Sequence, residues 1–260
     1  MKKILLIALL AATQVYMANA QSFSDIKNKK GTQIFADYWK IKIYGVYTDV
    51  ASKYTPSYAG YTFNVSLYRN DLDKWGTRTK YENSTLGDLL WLNKKVYNVP
   101  ATIATGTPQI SKNPAKDHAH GSGFLGWLQY YTNVIAKDRT MFSVGLSAGD
   151  YIYGSKVNGT EQDPYGYYLV AGPAVMASYV PAKWCWVDVF ANYDLSFVNA
   201  VKKSTTDPKY PKPHFLTIGA DFNTSKQFFF GIRHNTMIDR GTMDDTSSHL
   251  DIKLGFILPI

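Results

Sequence analysis

Apolar and polar residues alternate with a period of two along much of this chain, most visibly from Gly123 to Ile260. At the end, Leu250, Ile252, Leu254, Phe256, Leu258 and Ile260 hold every even position. Asp251, Lys253, Gly255 and Pro259 hold four of the five odd ones. A period of two sends successive side chains to opposite faces of an extended strand. The segments run ten to fifteen residues, the length of a tilted strand that crosses a bilayer.

The second half divides into strands at 123–136, 140–154, 165–179, 184–198, 214–223, 227–238 and 250–260. The first half adds 34–50 and 58–69, the latter with Tyr61, Phe63, Val65 and Leu67 on one face. Between Asn70 and Ser122 the alternation lapses. Ser84 to Leu92 fits either a short capped helix or another strand. A barrel with both ends on one side needs an even strand number, so a tenth strand is expected within 76–104. The expectation is an all-β, antiparallel transmembrane barrel of ten strands, with eight as the alternative.

The breaks are sorted by length. Tight links at 137–139, 180–183 and 224–226 alternate with longer ones at 156–164, 200–213 and 239–248, and 100–121 reads as a further long loop. Short turns on one side and long loops on the other resemble the arrangement of outer-membrane barrels, which places the short turns in the periplasm. One set of side chains in each strand is polar or small: Asp188, Asn192 and Asp194 in one, Ser143, Gly145 and Ser147 in another. That set suits a narrow filled interior, although alternation alone does not separate inside from outside.

The N-terminus reads as an export signal over residues 1–20. Lys2 and Lys3 form its charged region, Ile4 to Ala12 its apolar core, and Ala18-Asn19-Ala20 its cleavage site. Residues 21–33 then form an N-terminal periplasmic segment, and 34–260 the barrel. No later stretch reaches the 18 consecutive apolar residues of a spanning helix. The formal charge of +8 falls to +6 when Lys2 and Lys3 leave (8 − 2 = 6). The cations are scattered, which suits anionic lipid or lipopolysaccharide, and export excludes nucleic acid as a partner. Aromatic residues make up 15%, including 20 Tyr, and those at strand ends (Tyr165, Tyr167, Tyr168, Tyr179) suit an interfacial belt. Cys185 has no partner thiol and sits on an apolar face, where it packs as a small hydrophobe.

Candidate chemistry is sparse. Asp117-His118-Ala119-His120 offers His-x-His spacing, but a metal site needs three or four ligands supported by further hydrogen bonds. No others can be named, so no metal or cofactor is expected. Gly145-Leu146-Ser147-Ala148-Gly149 has the letters of a nucleophile elbow inside an alternating strand and reads as structural. The segment Gln227-Phe228-Phe229-Phe230-Gly231-Ile232-Arg233-His234-Asn235-Thr236 loosely resembles the His-x-Ser-Asn stretch of outer-membrane lipid A deacylases, eight-stranded barrels that hydrolyse an acyl ester from their lipid-facing wall. The resemblance implies His234 as base and Thr236 as nucleophile, both facing lipid near the rim. Thr236 stands in place of Ser, Met237 in place of Asn, and the orienting acid has no counterpart; Asp244 and Asp245 lie in the neighbouring loop.

The terminal strand resembles the assembly signal of outer-membrane proteins, apart from its Pro259-Ile260 end. As a whole, the chain is similar to small outer-membrane barrels of Gram-negative bacteria, and Gln21 after the cleavage site resembles exported proteins of the Bacteroidota. Three functions are compatible: a structural or interaction barrel, including a subunit of an envelope assembly with other envelope proteins as partners; a lipid A acyl-ester hydrolase; and a narrow passive pore.

Overall fold

Strands account for nearly all regular structure in the computed structural model. It describes residues 39–51, 57–84, 87, 89–90, 94–98, 109–110, 120–137, 139–153, 156–157, 160–161, 165–182, 184–202, 213–224, 227–239 and 246–259. In chain order these are β1 (Lys40–Ala51), β2 (Ser57–Asn70), β3 (Thr77–Asn83), β4 (Lys94–Asn98), β5 (Gln109–Ile110), β6 (His120–Lys137) and β7 (Thr140–Tyr153). Then follow β8 (Lys156–Val157), β9 (Thr160–Glu161), β10 (Tyr165–Ala182), β11 (Cys185–Lys202), β12 (Pro213–Thr224), β13 (Phe228–Asp239) and β14 (Thr246–Pro259).

Ten of these strands make a closed antiparallel wall in the order β2-β3-β6-β7-β10-β11-β12-β13-β14-β1, with β1 pairing back onto β2. The seam joins Lys40 to Pro259 at one end and Ala51 to Ser248 at the other. Closure matters because an open edge in a bilayer would leave its amides and carbonyls without partners. Ten strands is the expected number. The expected segments 1–20, 21–33 and 34–38 lie outside the described residues.

The weakly patterned stretch contains one wall strand in two pieces. β3 pairs with Val65–Asn70 of β2, and β4 pairs with Ser57–Tyr61 of the same strand. The chain leaves the wall between them, and Gly87 and Leu89 there are helical, the first of the two options for 84–92. β5 extends β4 sideways, and β8 and β9 form a separate two-stranded hairpin flanking Asn158-Gly159. The 100–121 loop is otherwise outside the described residues, and β6 begins at His120, earlier than the expected 123.

Connections of few residues lie at the end of the barrel that carries Lys40 and Pro259: 71–76, 138–139, 183–184 and 225–227. Trp75 and Gln227 take positive φ of 67° and 65° in two of these turns. The opposite end carries 52–56, 84–119, 154–164, 203–212 and 240–245. For the links named from the sequence the sorting is present, with 138–139, 183–184 and 225–227 short and 154–164, 203–212 and 240–245 longer, whereas 71–76 and 52–56 in the first half do not follow it.

The parity of each strand resolves inside from outside. In β14 the even residues face out, with Leu254 54% and Phe256 60% exposed, whereas Asp251 and Lys253 are buried at 2% and 1%. In β7, Phe142, Val144 and Leu146 face out, while Ser143 and Ser147 face in. A wall that is apolar outside and charged inside inverts the arrangement of a soluble barrel. It matches one surrounded by hydrocarbon.

Candidate functional site

The barrel interior is stacked in three layers. At the short-turn end, Leu72, Met141, Val180, Trp186, Phe229 and Ile257 pack as an apolar floor, with Tyr44 set edge-on to Phe229 at 5.1 Å between ring centres. At the long-loop end, Tyr151, Tyr168, Val170, Phe215 and Met237 form a roof. Between them lies a belt of charge.

Alternation puts Lys42 of β1, Arg78, Lys80 and Glu82 of β3, Asp188 of β11, Asp221 of β12, Arg233 of β13, and Asp251 and Lys253 of β14 into this belt. Asp221 Oδ2 accepts from Lys42 Nζ at 3.4 Å and Lys80 Nζ at 3.3 Å. Glu82 accepts from Lys253 Nζ at 3.1 Å and from Arg233 at 3.2 Å, and Arg233 also donates to Asp251 Oδ2. Asp188 accepts from Arg78, Ser178 and the Trp186 indole, and Arg78 donates in addition to Asn70 and Ser178. Asp194 is held by Ser147 and Asn192. The lysines also lie over aromatic rings, Lys42 above Phe229 at 4.5 Å and Lys80 above Phe190 at 4.8 Å. Charges taken out of water need such multiple partners, since an unpaired one costs several kcal/mol.

Above this belt, Tyr151 Oη stands 3.3 Å from His249 Nδ1, and His249 Nε2 faces Asn235 and Asp251. A cavity of about 20 Å³ remains beside Lys42, Ser66, Arg78, Lys80, Tyr131 and Asp221. That is room for about one water molecule. Of the sequence-expected interior, Asp188, Asn192, Asp194, Ser143 and Ser147 all face inward. Lys42, Arg78, Lys80, Glu82, Arg233 and Lys253 were not singled out from the sequence. Their signal was the same one, a charged residue recurring on one parity of an apolar strand, as in Lys40-Ile41-Lys42-Ile43.

His234 and Thr236 lie on the outward face of β13, with Thr236 Oγ1 3.4 Å from His234 Nδ1. The residues opposite His234 on the adjoining strands are Ile218 and Leu250, and those opposite Thr236 are Leu216 and Ser248. Asp244 and Asp245 lie outside the described residues, as do residues 117–119 of the His-x-His segment. Among the described residues no group of three or more His, Cys, Asp or Glu could hold a metal. Ser147 of the elbow-like stretch is buried against Asp194, and Cys185 is buried at the foot of β11.

One polar arrangement on the outer wall had no sequence signature. β6 bulges between Ser122 and Trp127, where Gly126 adopts φ 80°. Asp150 of β7 accepts from the amides of Leu125 at 2.8 Å and Gly126 at 2.9 Å, and from the Tyr167 hydroxyl at 2.9 Å. Tyr81 Oη donates to the Leu125 carbonyl at 2.8 Å. The bulge frees backbone groups beside β3's end, and these side chains satisfy them.

Partly exposed aromatic residues gather toward the ends of the apolar wall, most densely at the short-turn end. Trp39, Trp75, Tyr179 and Trp184 sit at the short-turn end, Tyr61 and Tyr167 near the other, and Tyr81 and Tyr130 between them. Tyr168, expected in the same belt, instead points inward as part of the roof with no exposure, because it has the opposite parity to Tyr167.

These features define the class: a closed, ten-stranded antiparallel β-barrel with an apolar outer wall and a filled, charged interior. No family model and no curated protein matches the chain. Among solved structures, the chain aligns with the outer-membrane protease OmpT of Escherichia coli at 7% identity, covering 85% of this chain and 96% of that one, with a TM-score of 0.34. A likeness that loose adds nothing to the wall's own pairing and carries no activity across.

Proposed function

We propose that this chain is an outer-membrane barrel with a structural or interaction role in the envelope, as a component that binds other envelope proteins or lipid. The observation that carries this is the interior: floor, charge belt and roof fill the lumen, and the belt's charged side chains pair with one another across it. Such a core stiffens the wall and commits its charges to the barrel itself. The export signal in the sequence, the lipid-compatible wall, its aromatic boundaries and the sorted turns all support the outer membrane as its place. Purification from native outer membranes under mild detergent tests it: a stoichiometric envelope partner is the expected result. A steady ion current in planar bilayers would count against it and favour the passive pore.

A second reading, lipid A acyl-ester hydrolysis, is favoured by one observation, the outward-facing approach of Thr236 to His234. A Thr hydroxyl beside an imidazole is the beginning of a nucleophile and base pair, which still needs a group to orient the imidazole. Mass spectrometry of lipid A from cells with the native chain and with His234→Ala tests it. Identical acylation removes this reading.

A further inference from the structure

We infer that the outer wall holds one phospholipid with an anionic headgroup at its short-turn end, an inference that rests on the membrane placement proposed above. A groove of about 390 Å³ indents the wall there. Its floor is the Ala177 methyl, flanked by Phe142 on β7 and Val189 on β11, the residues paired directly with Ala177. Ile135, Tyr179 and Val187 complete the sides. The dent exists because a methyl stands in a row of larger side chains: Ile135 pairs with Phe142, Phe142 with Ala177, and Ala177 with Val189.

The occupant follows from what borders the groove. The next row toward the turn runs Lys137, Thr140, Tyr179 through successive pairs. Lys137 is exposed, and Arg139 follows in the turn. The Lys137-Asp138-Arg139 turn carries a formal charge of +1. Exposed Trp184 occupies the next turn, at the depth where aromatic residues meet headgroups. An apolar slot ending at a cationic, aromatic edge matches an acyl chain below a phosphate.

The test uses the full-length barrel, extracted in mild detergent and titrated with phosphatidylglycerol or phosphatidylethanolamine under native mass spectrometry. One phosphatidylglycerol per barrel is expected, bound more tightly than phosphatidylethanolamine. Ala177→Phe, which fills the groove from the lipid side, should lower retention at least tenfold while leaving heat-modifiable gel mobility unchanged. Removing a headgroup cation by Lys137→Gln should weaken binding roughly fivefold. Equal retention by Ala177→Phe, or equal binding of the two lipids, overturns the inference. A barrel that stays monomeric and soluble without detergent overturns the membrane placement beneath it.

Discussion

Arg78 on β3 reaches across the lumen to Asp188 on β11, Nη2 to Oδ1 at 2.8 Å, although 110 residues separate them in sequence. The two strands stand on opposing sides of the wall, so this pair acts as a strut. Asp188 also anchors Ser178 and Trp186, which ties the strut to the apolar floor.

Breaking that strut from one side leaves an uncompensated buried charge. Asp188→Ala is expected to cost about 3–5 kcal/mol of stability, read as a lower urea midpoint for loss of heat-modifiable mobility. The double variant Arg78→Met, Asp188→Leu should recover most of the loss, because an apolar pair of similar volume carries no stranded charge. A double variant as weak as the single one would show that the cost comes from lost packing instead.

Gly172 and Gly45 make a matched pair of glycine tests. A Cβ on Gly172 would lie 1.8 Å from the Tyr193 carbonyl oxygen, so the β10 and β11 backbones must separate to admit it. Gly172→Ala is therefore expected to destabilise the barrel by about 1–3 kcal/mol, the range for overpacking. Gly45 faces out with nothing within 4 Å of its Cβ position, and Gly45→Ala should be neutral or slightly stabilising. Equal unfolding midpoints for the two variants would contradict the close approach at Tyr193.

Asp150 seals the β6 bulge, so its loss should act locally. Asp150→Ala leaves the Leu125 and Gly126 amides without acceptors, at about 1–3 kcal/mol for each unsatisfied donor. Faster hydrogen exchange confined to the upper part of β6 is the expected signature. Uniform acceleration through all ten wall strands would mean that Asp150 supports the whole barrel.

Leu254 reports on what surrounds the wall. It is 54% exposed in the outward row of β14. In water, an exposed Leu→Arg change is usually within about 0.5 kcal/mol of neutral. Against hydrocarbon the same change costs about 2–4 kcal/mol near the bilayer midplane. Folding of Leu254→Arg into lipid vesicles, followed by gel mobility, separates the two, and an unchanged midpoint would argue against burial in lipid.

The legible part of this architecture is the part that each strand states by itself. The parity of Leu250 to Leu258 divided the strand into two faces, and the sorted links and export-like N-terminus indicated which face meets lipid; the same reasoning placed His234 and Thr236 outside. What pairs with what was not legible. Glu82 meets Lys253 and Arg233 only because the wall closes between β1 and β14, and no local pattern encodes that meeting. The β3 and β4 halves were obscured because the sequence from Leu86 to Leu92 breaks the period-two alternation, and Gly87 and Leu89 within it are helical. Asp150 escaped notice because its partners are main-chain amides freed by a bulge. A bulge has no fixed residue signature beyond a glycine such as Gly126.

The β1–β14 seam bears on how the molecule comes into being. Thr48 donates to Asp251 across it, a bond between residues 203 positions apart. Until β14 arrives, β1 presents an unsatisfied edge and Glu82 lacks both Lys253 and Arg233's neighbour Asp251. Contacts this distant in sequence form late and slowly. No shortened form of the chain lacking β14 can therefore be a smaller working version of the whole, and the polypeptide must be kept from self-association until β14 is in place.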